Sequence, residues 1–442
     1  MIQKITFLLL TITFGYACQP VDVPQKQNVI TSDIPLFWKV YDELTSIADS
    51  AEQVEYLTAN YIEKGSVGLD GIIKARNYTS EEFVNAINKY PKFWNSIRDK
   101  TLKVDKYAAK AETGIEKLKT IYPELKPAKI FYTIGALRTP GTTIDSIVLL
   151  GAEMCMGDDE VDTSEFDDRL AHLPSYFKNN PNRGLEFLNV HEYVHTQQNE
   201  MVYNLLSLAV YEGAAEFVAA KAVGEKDITP AIHFGNKNAE AVREKFEEEM
   251  FNVHKARNGG DWIWNDTINV FKIRDLGYYI GYSICDIFYE SHSNKKEAIK
   301  TIIELDYNNE KQIEEFVNGT NFFSAPLQKL NETFERKRPQ VVNVSIGGKE
   351  NERVDVAANE NTIVLTFSEE MDKRYRNFEL GPLGEKALMP FKELIGFSED
   401  GMQFSYKASL KSNHHHQMLI GNGFRNLEGI PLKPFLIDFK TK

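Results

Sequence analysis

Cysteine is scarce in this chain, with three in 442 residues. Cys18, Cys155 and Cys285 are too few and too scattered for a disulfide-rich scaffold. An excess of positive charge is also missing. Lys and Arg number 51 against 64 Asp and Glu, a net charge of −13. A surface that tracks phosphates wants the opposite balance, so a nucleic-acid partner is not expected, although a local basic patch stays open. Beyond the first residues, no stretch is long and apolar enough to span a bilayer. Histidine is sparse too, at nine residues, so any cluster of histidines stands out. What remains is ordinary for a globular protein: 42% apolar and 26% charged residues. The length gives room for two or three domains and a sizeable core.

The N-terminus reads as a targeting segment. Lys4 supplies a positive charge, residues 5–14 a short apolar run, and Gly15-Tyr16-Ala17 a mostly small stretch directly before Cys18. This resembles a bacterial lipoprotein signal, although Gly15 stands where that class usually has Leu. The resemblance implies cleavage before Cys18, lipidation of Cys18 and attachment to a membrane of the cell envelope. The alternative is an ordinary secretory signal with Cys18 merely nearby. Either way the mature chain is exported. Residues 19–33, polar and carrying Pro20 and Pro24, read as a flexible tether. Cys155 and Cys285 then read as two buried thiols, with a disulfide left open.

Residues 35–122 carry a helical pattern. Phe37, Val40, Tyr41, Leu44 and Ile47 recur at three- and four-residue spacing. Thr79-Ser80-Glu81-Glu82 is a helix-start signal, and Pro123 ends the last helix of the region. Then the period changes to strands over residues 129–135 and 145–151, joined by a turn-rich loop over 138–143. Such strands either cover the helices or offer an edge to an extended peptide. Residues 154–182 form an acidic loop without EF-hand spacing.

The most chemically specific stretch follows. His191-Glu192-Tyr193-Val194-His195 places two imidazoles four residues apart on one helix face, able to reach one metal ion, with Glu192 about 100° round the helix. This helix is expected over residues 182–200, and a second over 204–223, ending at Gly224. The second helix carries Glu212 and Glu216, again four apart, on a face otherwise made of small and apolar residues. Carboxylates on such a face are costly unless paired or metal-bound, and the two histidines are the evident partners.

The pairing of His191-Glu192-x-x-His195 with Glu212-Gly213-Ala214-Ala215-Glu216 resembles the gluzincin zinc metallopeptidases. Over about residues 125–295 the chain looks like a family of predicted bacterial zinc-dependent proteases. The resemblance implies a zinc ion on His191, His195 and Glu212, with Glu216 holding a ligand histidine by its other ring nitrogen. It implies Glu192 as the base that activates a zinc-bound water, and Tyr278, in the run Gly277-Tyr278-Tyr279-Ile280-Gly281-Tyr282, as an oxyanion donor. His172, His233, His254 and His292 have no spacing that favours a role.

Near Pro339 the pattern turns to short alternating strands, over residues 341–346, 362–367, 403–408, 416–420 and 436–439. Residues 363–372 and 423–429 resemble a bacterial Ig-like domain class of exported proteins, which implies a spacer or a module that docks a partner. His414-His415-His416 reads as part of a surface loop. The expected architecture is therefore multidomain: a signal over 1–18, a tether over 19–33, a mainly α (α+β) zincin-like domain over 34–337 and an all-β Ig-like sandwich over 338–442. The leading expectation is an exported, membrane-anchored zinc metallopeptidase acting on a peptide or protein. The alternatives are a non-catalytic zinc-containing binding lipoprotein and a zinc hydrolase of a non-peptide amide.

Overall fold

Residues 28–225, 229–256, 259–265, 269–350, 356 and 358–442 are described by the computed structural model. Cys18 and residues 19–27 of the expected tether lie outside the described residues.

The helical region opens with a short strand, β1 (Val29–Ile30), and six α-helices, the second of them continued by a π-helical turn over Thr58–Ile62: α1 (Asp33–Leu44), α2 (Ser50–Leu57), α3 (Val67–Arg76), α4 (Ser80–Lys89), α5 (Pro91–Thr101) and α6 (Val104–Ile121). Local chemistry sets several of these boundaries. Asp49 and Ser66 cap α2 and α3 through their side chains, and Thr79 with Glu82 forms a reciprocal capping box on α4. Pro91 starts α5, where its missing N–H costs nothing. Phe37, Trp38, Phe93, Trp94 and Ile97 bury the inner faces of these helices in one apolar core.

A four-stranded sheet follows, with strands β2 (Lys129–Thr133), β3 (Gly141–Ile144) and β4 (Ile147–Gly151) in the order β1-β2-β4-β3. The first three strands in this order are parallel, and β3 pairs antiparallel with β4 through a tight turn at Asp145 and Ser146. Two expectations are corrected here. The end of the supposed tether is a strand, because Val29 and Ile30 complete the ladder of Ile130 and Phe131. The supposed turn-rich loop contains β3: the β-branched run Thr142-Thr143-Ile144 finds a partner strand, which Pro140 and Gly141 conceal in the sequence.

Beyond the sheet come α7 (Ala152–Cys155), α8 (Leu173–Lys178), α9 (Leu185–His195) and α10 (Leu205–Val223). Next are α11 (Pro230–Lys237), α12 (Ala239–Glu249), α13 (Val253–Ala256) and α14 (Leu276–Ser291). The series closes with α15 (Lys295–Ile303), α16 (Glu310–Thr320) and α17 (Leu327–Lys337). The motif helix is shorter than its expected 182–200. Residues Pro181–Gly184 form a 3₁₀ turn before α9, and the chain turns away immediately after His195. The next helix, α10, matches its expected span, capped by Asn204 at one end and by left-handed Gly224 at the other. It is apolar nearly all round, and so is buried among α6, α9 and α14. Cys155 and Cys285 are both free and buried.

The C-terminal region has its own apolar core, separate from that of the helices. One sheet has the order β6-β5-β7-β10-β9, from β5 (Val341–Ile346), β6 (Lys349–Glu350), β7 (Glu360–Phe367), β9 (Phe391–Phe397) and β10 (Gln403–Ser409). The other is β12-β11-β8, from β8 (Phe378–Glu379), β11 (His415–Ile420) and β12 (Phe435–Lys440). The chain is thus multidomain, helical first and β-sheet last. The histidine run is not a surface loop: β11 begins at His415, and His416 is fully buried.

Candidate metal centre

Three anchors fix α9 before any functional side chain is considered. The buried amide of Asn189 donates to the Tyr132 hydroxyl of β2 at 2.8 Å and to the Leu185 carbonyl at 2.6 Å. The Tyr193 hydroxyl accepts from the Ala128 N–H at 2.8 Å. Lys117 of α6 pairs with Glu186 at 2.7 Å. On the other side, α10 lies close to both α9 and α14.

This framework brings His191, His195 and Glu212 together, with one ligand atom from each within 4.8 Å of the others. The two Nε2 atoms are 3.1 Å apart. Glu212 Oε2 lies 3.5 Å from His191 Nε2 and 3.3 Å from His195 Nε2. Only 6% of Glu212 and 4% of Glu216 is exposed, so neither carboxylate is compensated by solvent.

The far ring nitrogens explain why both Nε2 atoms face inward. His195 Nδ1 lies 2.7 Å from Gln198 Oε1, while Gln198 Nε2 donates to the Tyr211 carbonyl at 3.0 Å. A carbonyl only accepts, so the amide is oriented, its oxygen accepts a hydrogen bond from His195 Nδ1–H, and Nε2 is left for the cluster. His191 Nδ1 sits 3.1 Å from Glu216 Oε2, poorly aligned for a hydrogen bond, so this contact is chiefly one of charge. Glu216 is held in turn by the Thr229 hydroxyl at 2.8 Å. Two imidazole Nε2 atoms facing each other beside a buried carboxylate call for a cation, and a proton on His191 meets that demand where no metal does. Burial works against this proton, yet Glu212 and Glu216 outweigh it and hold the His191 pKa up at about 10. Burial also opposes the charged form of Glu212, and the two histidines overcome it, keeping Glu212 well below the usual carboxylate range. The donor set, two nitrogens and one carboxylate oxygen, suits zinc.

The remaining candidates have other contacts. Glu192 accepts from the Thr143 hydroxyl at 3.0 Å, and the same hydroxyl donates to the Glu192 carbonyl at 3.0 Å, tying α9 to β3. Gly141 leaves room for that carboxylate, since a Cβ there would sit 2.8 Å from Glu192 Oε1. The Tyr278 ring stacks on His191 with centroids 6.0 Å apart, and its hydroxyl accepts from Trp264 Nε1 at 3.1 Å. Tyr282 packs against Phe217 instead. His254 bonds the Asn422 carbonyl and His292 the Phe288 carbonyl, both outside the cluster. Sequence reasoning missed Gln198, Thr143 and Tyr211, whose ring stacks on His195 with centroids 4.7 Å apart. Gln198 had one available signal, its position three residues after a ligand histidine.

A family model described as Gliding motility protein GldB matches residues 24–258, more than half of the chain. The chain belongs to the GldB family. This is a family of lipoproteins of the cell envelope in gliding bacteria, and the chain is accordingly membrane-associated and lipid-anchored. Among the described residues, no helix is long and apolar enough to cross a membrane.

Two further likenesses are weaker. Proteins from two strains of Staphylococcus epidermidis, each described as a probable glycine dehydrogenase (decarboxylating) subunit 1, are 21% identical over 331 residues. The alignment covers 69% of this chain and 67% of theirs. The crystal structure of the S-layer protein rSbsC(31-844) matches 63% of this chain at 14% identity and a TM-score of 0.18. The chain spans 42% of that structure's length, and so poor a superposition carries no argument.

Membership of the GldB family corrects the gluzincin expectation and with it the expected hydrolase activity, and it lends the expected peptide substrate no support. The physical reason is that the resemblance rested on a handful of positions. Those positions specify how two helices present ligands to a cation, and ligand geometry does not by itself specify a reaction.

Proposed function

We propose that the chain is a non-catalytic, zinc-holding lipoprotein that serves gliding motility by binding a partner at the envelope. The observation that carries the reading is the buried cluster of His191, His195 and Glu212, with both Nε2 atoms turned inward by partners on their far sides. When bound, zinc would cross-link α9 to α10 through these three side chains. Gln198 and Glu216 hold the imidazoles in orientation. Glu192 and Thr143 join the same unit to β3. The helical domain over 34–337 is then a zincin-like scaffold used for its metal site, and residues 338–442 an Ig-like module used for docking.

Metal analysis of the purified full-length chain tests the reading. The expected result is one zinc per chain, lost in Glu212→Gln and in His195→Ala. Gln198→Leu, which leaves every ligand in place, is expected to weaken zinc about tenfold in competition with a chelator. Cells carrying Glu212→Gln are expected to lose gliding. Absence of any metal affinity in the wild-type chain would sink the zinc reading, and normal gliding with a metal-free variant would sink the link between metal and motility.

A further inference from the structure

A cavity of about 380 Å³ opens at the N-terminal end of α10, with Leu206, Met250, Phe251, Ile313 and Leu327 among its walls. Ser207, 1% exposed, also lines it, five residues before Glu212 on the same helix. The Ser207 hydroxyl is buried and has no hydrogen-bond partner among the described residues. A buried orphan hydroxyl is costly. At the edge stand Tyr203 and Val253, 65% and 47% exposed. Large apolar side chains left in water around a concave apolar site mark a surface that is covered by something else.

Charge says what covers it. Glu310 and Glu314 also line the cavity, four residues apart on α16 and therefore on one face. Like charges at that spacing repel. Asn204 donates to Glu310 at 3.1 Å, but neither carboxylate has an ion-pair partner among the described residues. The nearest lysine in sequence, Lys311, pairs with Glu315 instead. Burial and the Glu310 charge both push the Glu314 carboxyl up, so the pair gains from an external cation. A second copy of the chain is a poor source, since each copy carries a net charge of −13. The cavity also adjoins the junction with the C-terminal region, where Asn252 donates to the Gly429 carbonyl at 3.1 Å and His254 contacts the Asn422 carbonyl at 2.6 Å.

We propose that this cavity is the docking site for a cationic amphipathic peptide segment of a partner protein. The segment seats an apolar side chain among Leu206, Met250 and Ile313, and lays a Lys or Arg over Glu310 and Glu314. The site is separate from the metal cluster and stands whether or not zinc is bound.

The test is fluorescence anisotropy with the full-length chain in nanodiscs of neutral phosphatidylcholine, empty nanodiscs being the blank. The probe is a short labelled peptide of alternating leucine and lysine. Saturable binding is expected, weakened at least about tenfold by the double reversal Glu310→Lys/Glu314→Lys. The alternating leucine–glutamate and serine–lysine peptides are expected to bind at least about tenfold more weakly, because each lacks one of the two matched features. Reversing the exposed Glu52 and Glu55 on distant α2 is expected to leave affinity within about twofold. Both double variants change exposed side chains, so each is expected to fold, which circular dichroism checks. No saturable binding, or an equal loss from the α2 reversal, overturns the proposal. Equal binding of the serine–lysine peptide overturns the apolar half of it.

Discussion

Glu153 shows what one misplaced charge does to this fold. It is fully buried on α7, directly after β4, and accepts from the Gly135 N–H at 3.0 Å and the Leu137 N–H at 3.3 Å. Burial raises its pKa to about 7, against the opposing pull of those backbone donors. The folded chain therefore holds this proton more tightly than the unfolded chain does. Linkage then requires the contribution of Glu153 to stability to be largest below the ordinary carboxyl value of 4.5, to fall as pH rises to about 7, and to level off above. The span corresponds to about 3 kcal/mol. Glu153→Gln is expected to remove that slope, as measured by denaturant unfolding of the helical region between pH 4.5 and 7.5. A slope unchanged in the variant would mean that another group titrates. The sequence marks Glu153 only as an acidic residue after an apolar strand. Its burial depends on how β4 enters α7, which no local pattern encodes. His191, His195, Glu212 and Glu216 were legible because helical spacing is itself a three-dimensional statement. Gln198 was not, because it acts from the turn where α9 has already ended.

At the level of elements, the cluster depends on how closely α10 and α14 cross. A Cβ on Gly213 would lie 2.4 Å from Gly281 Cα, and one on Gly281 would lie 1.9 Å from the Ala209 carbonyl oxygen. Both neighbours are backbone, which cannot rotate aside. Gly281→Ala must therefore drive the helices apart and disturb Glu212, one residue before the crossing glycine of α10. The expected cost is about 3 kcal/mol, at the upper end for overpacking, and is read from the thermal midpoint. Zinc affinity is expected to fall with it. An unshifted midpoint would mean that the helices can part without penalty. Gly213, Ala214 and Ala215 of α10 announce a close approach in the sequence, with the motif helix as the expected neighbour, whereas the backbone that meets Gly213 is that of α14. The same limit hid β3 and β9. A strand is recognised alone only when its own residues alternate, whereas β3 exists because β4 offers it a ladder, and β9 is an edge strand with shifts in its pairing to β10.

On the scale of the whole molecule, two separate apolar cores are joined by polar contacts, and Arg338 supplies two of those seen among the described residues. Its guanidinium donates to the Pro431 carbonyl at 3.2 Å, the Leu432 carbonyl at 2.6 Å and Glu335 at 2.7 Å. Lys433 N–H returns a bond to the Pro339 carbonyl at 2.9 Å. The change from helical to alternating pattern near Pro339 was plain in the sequence, because it is a change of period. The hinge chemistry was not, because the two carbonyls that Arg338 bonds lie more than 90 residues away. Each region has its own core, so removing Arg338 is expected to loosen the junction without unfolding either side. Arg338→Ala loses charge-assisted bonds to two carbonyls that then have no replacement donor, a cost of about 2–3 kcal/mol. Hydrogen exchange at the amides of residues 429–433 is then expected to speed up by about tenfold or more, while the cores of α10 and β7 keep their protection. If those core amides exchange faster as well, the two regions share one cooperative unit, and a partner seated beside the junction would be read by the metal cluster and the β-sheets together.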